Sequence, residues 1–500
     1  MEVSVRFRAF LVLCTMMISL SLFLFNDLMT IWSGAEAAWL GESLSFDKTS
    51  FLPLKLMKFL AHTQENFPFV PRISGAVLFL ASIAGFYYLA KPYLGNVVVL
   101  LTGLILGAGF MMPFLAKIAT LDIWNFAFHF LAYFTLIRYI KKPAVAWQVL
   151  FYVFMAIALL VQPVAALIFL LGSSAVLWWK HPQGNRIVKV NPWVAGVVLG
   201  TVFHFLGLLQ WQNDWQLFAA SGRDFGKYLL FNLIGILPFI GFLTGGILDL
   251  FYKLKRGVEL ALIIFVLILF SVLAQSPVLQ AAFALMIAKQ MLLFYDAGYP
   301  FKSWVRAVTI IHLVFAFGLS VLLMLNGVTE FGGLGFRSGL IFSFMYWAVG
   351  VVGVFGQYGT QRTMLIGGPV ASGVLTMLIF WMQLYPLIES RRNMPKRIVE
   401  GIESLEGKQE VSAFIITDST NQKFSNLPIY LGLAFPGAEI TSVGFEWAKQ
   451  NWEKSSNKVW LNNLNPERDS SEQVLTIEGW NDQLTSETWT IYFPGSEVNN

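Results

Sequence analysis

The chain is short of the residues on which soluble proteins depend. It has one cysteine, Cys14, set inside the first apolar run, so no disulfide within the chain and no cysteine metal cluster can form. Its five histidines, His62, His129, His181, His204 and His312, are too dispersed for a metal motif. No Gly-Lys phosphate-cradling loop appears, which argues against a cytosolic nucleotide-sugar donor and against ATP-driven transport. Charged residues make up only 13% of the sequence, where a soluble domain carries about 25%. That deficit excludes a soluble enzyme, a disordered chain and a nucleic-acid binder. No internal repeat and no low-complexity tract is present.

What fills the space is apolar. Hydrophobic residues account for 56% of 500 residues, and the mean hydropathy is +0.64. A bilayer crossing needs about 20 apolar residues. Runs of that kind lie near 9–25, 73–90, 97–116, 123–140, 146–161, 164–179, 193–212, 228–251, 258–274, 277–295, 305–325, 339–356 and 364–386. The first follows Arg6 and Arg8, lacks a convincing cleavage site after it, and reads as an uncleaved helix. The expectation is an all-α polytopic membrane protein of about 13 transmembrane helices.

The few charges give that body an orientation. Residues 1–388 hold 24 Lys/Arg against 13 Asp/Glu, while residues 389–500 hold 10 against 16. With the N-terminus inside, the inside loops carry 15 basic residues, among them Lys141, Lys142, Lys253, Lys255, Arg256, Arg306 and Arg362. The outside loops carry eight: Lys48, Lys55, Lys58, Arg72, Lys117, Arg223, Lys227 and Arg337. This bias is the positive-inside pattern, and an odd number of spans puts residues 389–500 outside. Those residues change character. Val411–Thr417, Lys458–Leu461, Val474–Glu478 and Trp489–Phe493 read as strands, Leu427–Ala434 as a helix-like run, and Pro395–Leu405 as a helix. A small extracytoplasmic α/β domain is expected over 389–500, after a transmembrane domain over 1–388.

The first outside loop, 26–72, is far longer than the others. Trp32, Ala35, Trp39 and Leu40 fall at near-helical spacing, as do Leu54, Met57, Lys58 and Ala61, which suits helices lying in the interface plane. The loop carries Asp27, Glu36, Glu42, Asp47 and Glu65, and the next outside loop ends in Asp122. Carboxylates gathered at one membrane–water boundary can serve as a general base toward an acceptor hydroxyl or amine, or can bind a metal ion. The plain alternatives are solvated loop acids and, for Asp122, a helix N-cap. For Arg72 the plain alternative is snorkelling to headgroups. Arg223 and Asp224, with Lys227, sit in the fourth outside loop. Asp249 and Lys289 lie toward the inside ends of their spans and suit helix pairing or snorkelling. The glycines at Gly332–Gly335 read as a flexible outside loop.

The order of these features resembles a known family. A span is followed by a long acidic, aromatic loop and then by Pro71–Arg72 opening the second span. After the third span comes Ala116-Lys117-Ile118-Ala119-Thr120-Leu121-Asp122. Then come Ala158-Leu159-Leu160-Val161-Gln162-Pro163-Val164-Ala165, Tyr228-Leu229-Leu230 and Leu237-Pro238. Over roughly 10–295 this is similar to the aminoarabinose transferase and protein O-mannosyltransferase clan, whose membrane-embedded architecture is the GT-C fold. Val70–Leu80 resembles the family's Arg-Leu-Pro-Ser-Ala segment and Ile118–Asp122 its Ala-Thr-Leu-Asp. Departures are plain: the family's Asp-Glu-x-x-Tyr stands here as Ala35-Glu36-Ala37-Ala38-Trp39. Its Lys-Pro-Pro-Leu stands as Phe51-Leu52-Pro53-Leu54, and its Thr-Lys-Gly-Pro as Leu160-Val161-Gln162-Pro163.

The resemblance implies a glycosyltransferase of the bacterial cytoplasmic membrane, moving a sugar from a polyprenyl phosphate to an extracytoplasmic lipid, glycan or protein acceptor. Asp122 and Glu36 would be the catalytic acids, with Asp27 in reserve. Arg72, Lys117, Lys55 and Lys58 would meet the donor phosphate, with Arg223 and Asp224 ordering over it. No cofactor is required, and a divalent metal ion is optional. A second reading is a catalytically degenerate relative that binds lipid-linked glycans or serves an envelope complex. A transporter is the third, against which stand the absence of an inverted repeat and the scarcity of mid-membrane charge.

Overall fold

A computed structural model of the chain describes residues 5–23, 69–118, 120–206, 208–209, 225–359, 361–392, 394–405, 413–418, 427, 431, 434–435, 438–444, 459–462, 474–480 and 486–492. The described residues up to Leu384 fall in one compact unit and those from Tyr385 onward in a second.

The first unit is entirely helical. Its helices are α1 (Val5–Phe23), α2 (Phe69–Leu94), α3 (Asn96–Ala108), α4 (Met111–Lys117), α5 (Leu121–Lys141), α6 (Val145–Val161) and α7 (Pro163–Lys180). They continue with α8 (Pro192–Phe205), α9 (Phe225–Gly235), α10 (Ile240–Lys255), α11 (Glu259–Leu273), α12 (Val278–Leu293), α13 (Lys302–Tyr358) and α14 (Arg362–Ile379). Helices close every backbone hydrogen bond within themselves, which is why apolar runs of this length take that form in a bilayer. Five described helices are long and apolar enough to cross a membrane, and two bent pairs pass the same test together. The first unit is an all-α, multi-pass membrane body among its described residues.

α5 runs through the middle. From Ile123 to Ile137 every residue is buried, as are Tyr139 and Ile140. A helix buried on every side lies in the interior rather than against lipid on one side. Phe126, Phe130 and Phe134 fill its packing against Phe79 and Phe86 of α2, with ring centroids 4.7–6.0 Å apart. By contrast α13 exposes Ile311, Val314, Phe315 and Leu322, as a lipid-facing surface must.

Two runs that read as single spans are broken. α3 and α4 meet at 67°, and α9 and α10 at 112°. The second break falls at Leu237–Pro238, and a proline removes the donor that would continue the helix. The breaks dock on each other. The amide of Phe110 donates to the carbonyl of Gly235 at 2.8 Å, so a group freed by one break satisfies the other. The approach needs glycine: a methyl at Gly109 would lie 2.8 Å from the Gly235 oxygen, and one at Gly373 of α14 only 2.0 Å from the Ala108 oxygen.

The 57 residues of α13 form a hairpin, with Gly332 (φ 61°, ψ −143°) at the reversal. His312 Nε2 reaches the Tyr346 hydroxyl at 2.7 Å, and Gly339 packs on Met324, so the two arms run antiparallel. The expected flexible loop at Gly332–Gly335 is thus a tight helical turn, which only glycine adopts without strain.

The second unit contains α15 (Tyr385–Arg392), α16 (Met394–Leu405) and the strands β1 (Ala413–Asp418), β2 (Glu439–Gly444), β3 (Val459–Asn462), β4 (Val474–Trp480) and β5 (Ser486–Tyr492). The sheet order is β2-β1-β3-β5-β4. β1 is parallel to β2 and β3, while β5 is antiparallel to β3 and β4. Residues 413–416 of β1 are buried on both faces, as befits a strand with parallel neighbours. Ile398, Val399 and Ile402 lie on one face of α16 and pack with Phe414, Ile416, Leu461, Trp489 and Ile491.

Candidate active site

The site is built around the start of α5. Thr120 occupies the cap position in extended backbone, without a side-chain cap bond, and Asp122 is the second helical residue. The reading of Asp122 as the N-cap is therefore corrected: its carboxylate is free of that duty and lies where the helix dipole favours negative charge. The Asp122 side chain is exposed, unlike the fifteen residues that follow it.

Below it a polar stripe descends into the bilayer interior. Asp122, Asn125, His129 and Tyr133 recur at helical spacing and share one face of α5. Asn125 Nδ2 donates to Gln162 Oε1 at 2.5 Å, and Gln162 is the break between α6 and α7. His129 Nδ1 is 3.1 Å from the Ser276 hydroxyl, the donor following from the tautomer. Tyr133 donates to the Ile263 carbonyl at 2.6 Å. From Ser276 the network continues: Tyr228 donates to the Ser276 carbonyl at 2.9 Å, Asn232 to the Tyr228 carbonyl at 2.8 Å, and Gln280 to the Asn232 carbonyl at 2.7 Å.

Part of this stripe is unsatisfied. Asn125 Oδ1 and His129 Nε2 are buried with no hydrogen-bond partner among the described residues. Buried polar atoms are almost always paired, so two such atoms on the Asp122 face of α5 mark a place suited to a polar ligand or water. His129 also stacks on Phe169, centroids 5.0 Å apart, which holds its ring orientation.

Of the residues expected at the site, three are described. A methyl at Gly75 would touch the Ala116 oxygen at 2.9 Å and Ile123 at 3.5 Å, so the first turns of α2 lie against the α4–α5 junction. That contact brings Arg72, Lys117 and Asp122 to one end of the bundle. Arg72 is fully buried, which rules out snorkelling to headgroups. Lys117 is fully buried too: its ammonium donates to the Ser21 carbonyl of α1 at 3.1 Å and sits 4.8 Å from the Trp381 ring centroid. A desolvated ammonium over an indole face is a stabilising cation–π contact, so protein groups already engage this charge. Glu36, Asp27, Lys55, Lys58, Arg223 and Asp224 lie outside the described residues. No cluster of three or more metal-ligating acids, histidines or cysteines occurs among the described residues.

The other end of the bundle, about 28 Å away along α5, has a separate cluster. Glu259 contacts Lys141 and lies 2.5 Å from His181 Nε2. Arg186 donates to the last carbonyls of α5, at 2.6 Å to Ile140 and 3.1 Å to Lys141. These contacts close helix ends.

No protein-family model matches the chain, and no curated protein matches it by sequence. Solved structures do match it in fold. ArnT from Cupriavidus metallidurans bound to undecaprenyl phosphate aligns with 96% of this chain and 97% of its own, at TM-score 0.59 and 12% identity. The apo state of that protein aligns with 97% of both, at TM-score 0.57 and 11% identity. This chain has the GT-C fold. The likeness spans nearly the whole chain, beyond the 10–295 over which the motifs are similar. At this identity it is a likeness of fold, and the GT-C scaffold leaves the chemistry to be argued from the residues.

Proposed function

We propose that the protein is a membrane glycosyltransferase that moves a sugar from a polyprenyl phosphate onto an acceptor at the Asp122 end of the bundle. The observation that carries this reading is Asp122 itself: an accessible carboxylate at the start of the central helix, above a polar stripe with unpaired buried atoms, on a fold shared with a protein whose structure holds undecaprenyl phosphate. The Asp122 carboxylate orients the acceptor and takes its proton. Attack at the anomeric carbon then forms the new glycosidic bond with inversion as the sugar–phosphate bond breaks. The polyprenyl phosphate leaves as an anion and needs little protonation, so one base is enough. Unpaired groups of Asn125 and His129 supply hydrogen bonds to sugar hydroxyls. Arg72 contributes positive charge to the donor phosphate, and Glu36, with the first-loop lysines Lys55 and Lys58, completes the site.

The membrane is the bacterial cytoplasmic membrane, the N-terminus is inside, and the second unit is outside, as the loop charges support. An in-membrane assay with labelled polyprenyl-phosphate pentoses and hexoses tests the reading: transfer to an acceptor supports it. Tight binding without turnover favours the second reading, a non-catalytic binder of lipid-linked glycans. The engagement of Lys117 by Ser21 and Trp381 favours that alternative, because it occupies a charge the donor phosphate would use.

A further inference from the structure

At the end of the bundle away from Asp122, an open recess lies between α10, α11 and α12, lined by Asp249, Lys253, Val258, Ala261, Lys289 and Gln290. Its charges do not balance. Asp249 Oδ2 accepts from Lys253 at 2.6 Å and from Gln290 at 2.9 Å, and Gln290 in turn accepts from Tyr299 at 2.5 Å. Glu259, the other nearby acid, is engaged by Lys141 and His181. Lys289, half-buried, has no hydrogen bond or ion pair of its own among the described residues. The acid that attracts it, Asp249, is already shared by Lys253 and Gln290, so positive charge is in excess in the recess. Leu248, Phe251, Tyr252 and Val258 are exposed beside it, a surface suited to acyl chains, and Lys255 and Arg256 follow at the rim.

We propose that this recess binds the phosphate of an anionic phospholipid, with Lys289 and Lys253 as its cations and the exposed residues of α10 as the floor for the chains. The site is independent of the proposed transfer chemistry. Juxtamembrane basic clusters of this kind select anionic lipid over zwitterionic lipid. The test is retention of phosphatidylglycerol against phosphatidylcholine by the full-length purified protein, read by native mass spectrometry. The native protein should prefer phosphatidylglycerol. Lys289→Gln should lower that retention about fivefold, the effect of one basic residue near an anionic surface. Lys289→Arg should preserve it, and so should Lys142→Gln at an exposed position of the same end. Equal retention of the two lipids by the native protein would overturn the proposal, as would unchanged retention in Lys289→Gln. Complete displacement of the lipid by excess inorganic phosphate would overturn the lipid assignment in favour of a soluble anion.

Discussion

Asn125 Nδ2 lies 2.5 Å from Gln162 Oε1, which ties the central helix to the break between α6 and α7. The pair sits one turn below Asp122 and sets the first rung of the polar stripe. In membranes such interhelical bonds contribute about 0.6 kcal/mol on average and about 1.7 kcal/mol at most. Asn125→Ala and Gln162→Ala should each lower the unfolding temperature of the detergent-solubilised protein. The double variant should lose less than their sum, by a coupling within that range. Strict additivity would show that the pair is not formed.

The crossing of the two broken helices rests on close backbone approach. A methyl at Gly373 would meet a carbonyl oxygen that cannot move without moving α3, whereas one at Gly226 meets nothing within 4 Å. Gly373→Ala is therefore expected to destabilise by about 1–3 kcal/mol, the usual range for overpacking. Gly226→Ala should be near neutral. Thermal unfolding of the two variants side by side checks this, and equal behaviour would refute the junction.

The broken spans also show where reading a sequence stops. Hydropathy locates apolar runs but averages over bends, so 97–116 and 228–251 look continuous although each turns sharply. Pro238 was visible, yet proline is tolerated inside membrane helices and does not by itself announce a break of 112°. At Gly332 the glycine was legible and its geometry was not. The acid at Asp122 stood out because it interrupts an apolar chain. Asn125, in the same stripe, did not, although its spacing from Asp122 and His129 was available. Gln162, Tyr228, Ser276 and Gln280 come to that stripe from other helices, and no local pattern pairs residues so far apart. In the second unit, strands near 413, 459, 474 and 489 are alternating and β-branched in the sequence. β2 carries the same signal in Ile440, Thr441 and Val443 and is absent from the strands read from the sequence.

His181 gives a pH dependence to the opposite end. Its Nδ1 accepts from the Gln183 amide at 3.1 Å, and its Nε2 lies 2.5 Å from Glu259. That is the arrangement of a neutral ring. Burial holds the imidazole below its usual 6.5, with Lys141 and Arg186 adding to the effect and Glu259 opposing it. The unfolded chain takes up a proton that the folded site resists. The stabilisation is therefore complete above the unfolded value and is lost as pH falls through the lower folded value. The unfolding temperature should drop as pH is lowered from about 7 toward 5, and His181→Gln should remove part of that slope. An unchanged slope in the variant would assign the pH dependence elsewhere.

Orientation has its own check. A reporter fused after Asn500 should read extracytoplasmic if the basic loops mark the inside. A cytoplasmic reading would break the count of thirteen spans.

The most direct measurement compares turnover of a labelled polyprenyl-phosphate sugar by the native protein, Asp122→Asn and Asp296→Asn, in membranes, alongside donor binding. Asp296 is an exposed acid following α12 and serves as the charge control. If Asp122 takes the acceptor proton, Asp122→Asn should lose about 10²- to 10⁴-fold in rate, the usual contribution of a general base. Donor binding should stay within a few-fold, and Asp296→Asn should match the native protein. Native turnover that survives intact in Asp122→Asn would contradict the assignment.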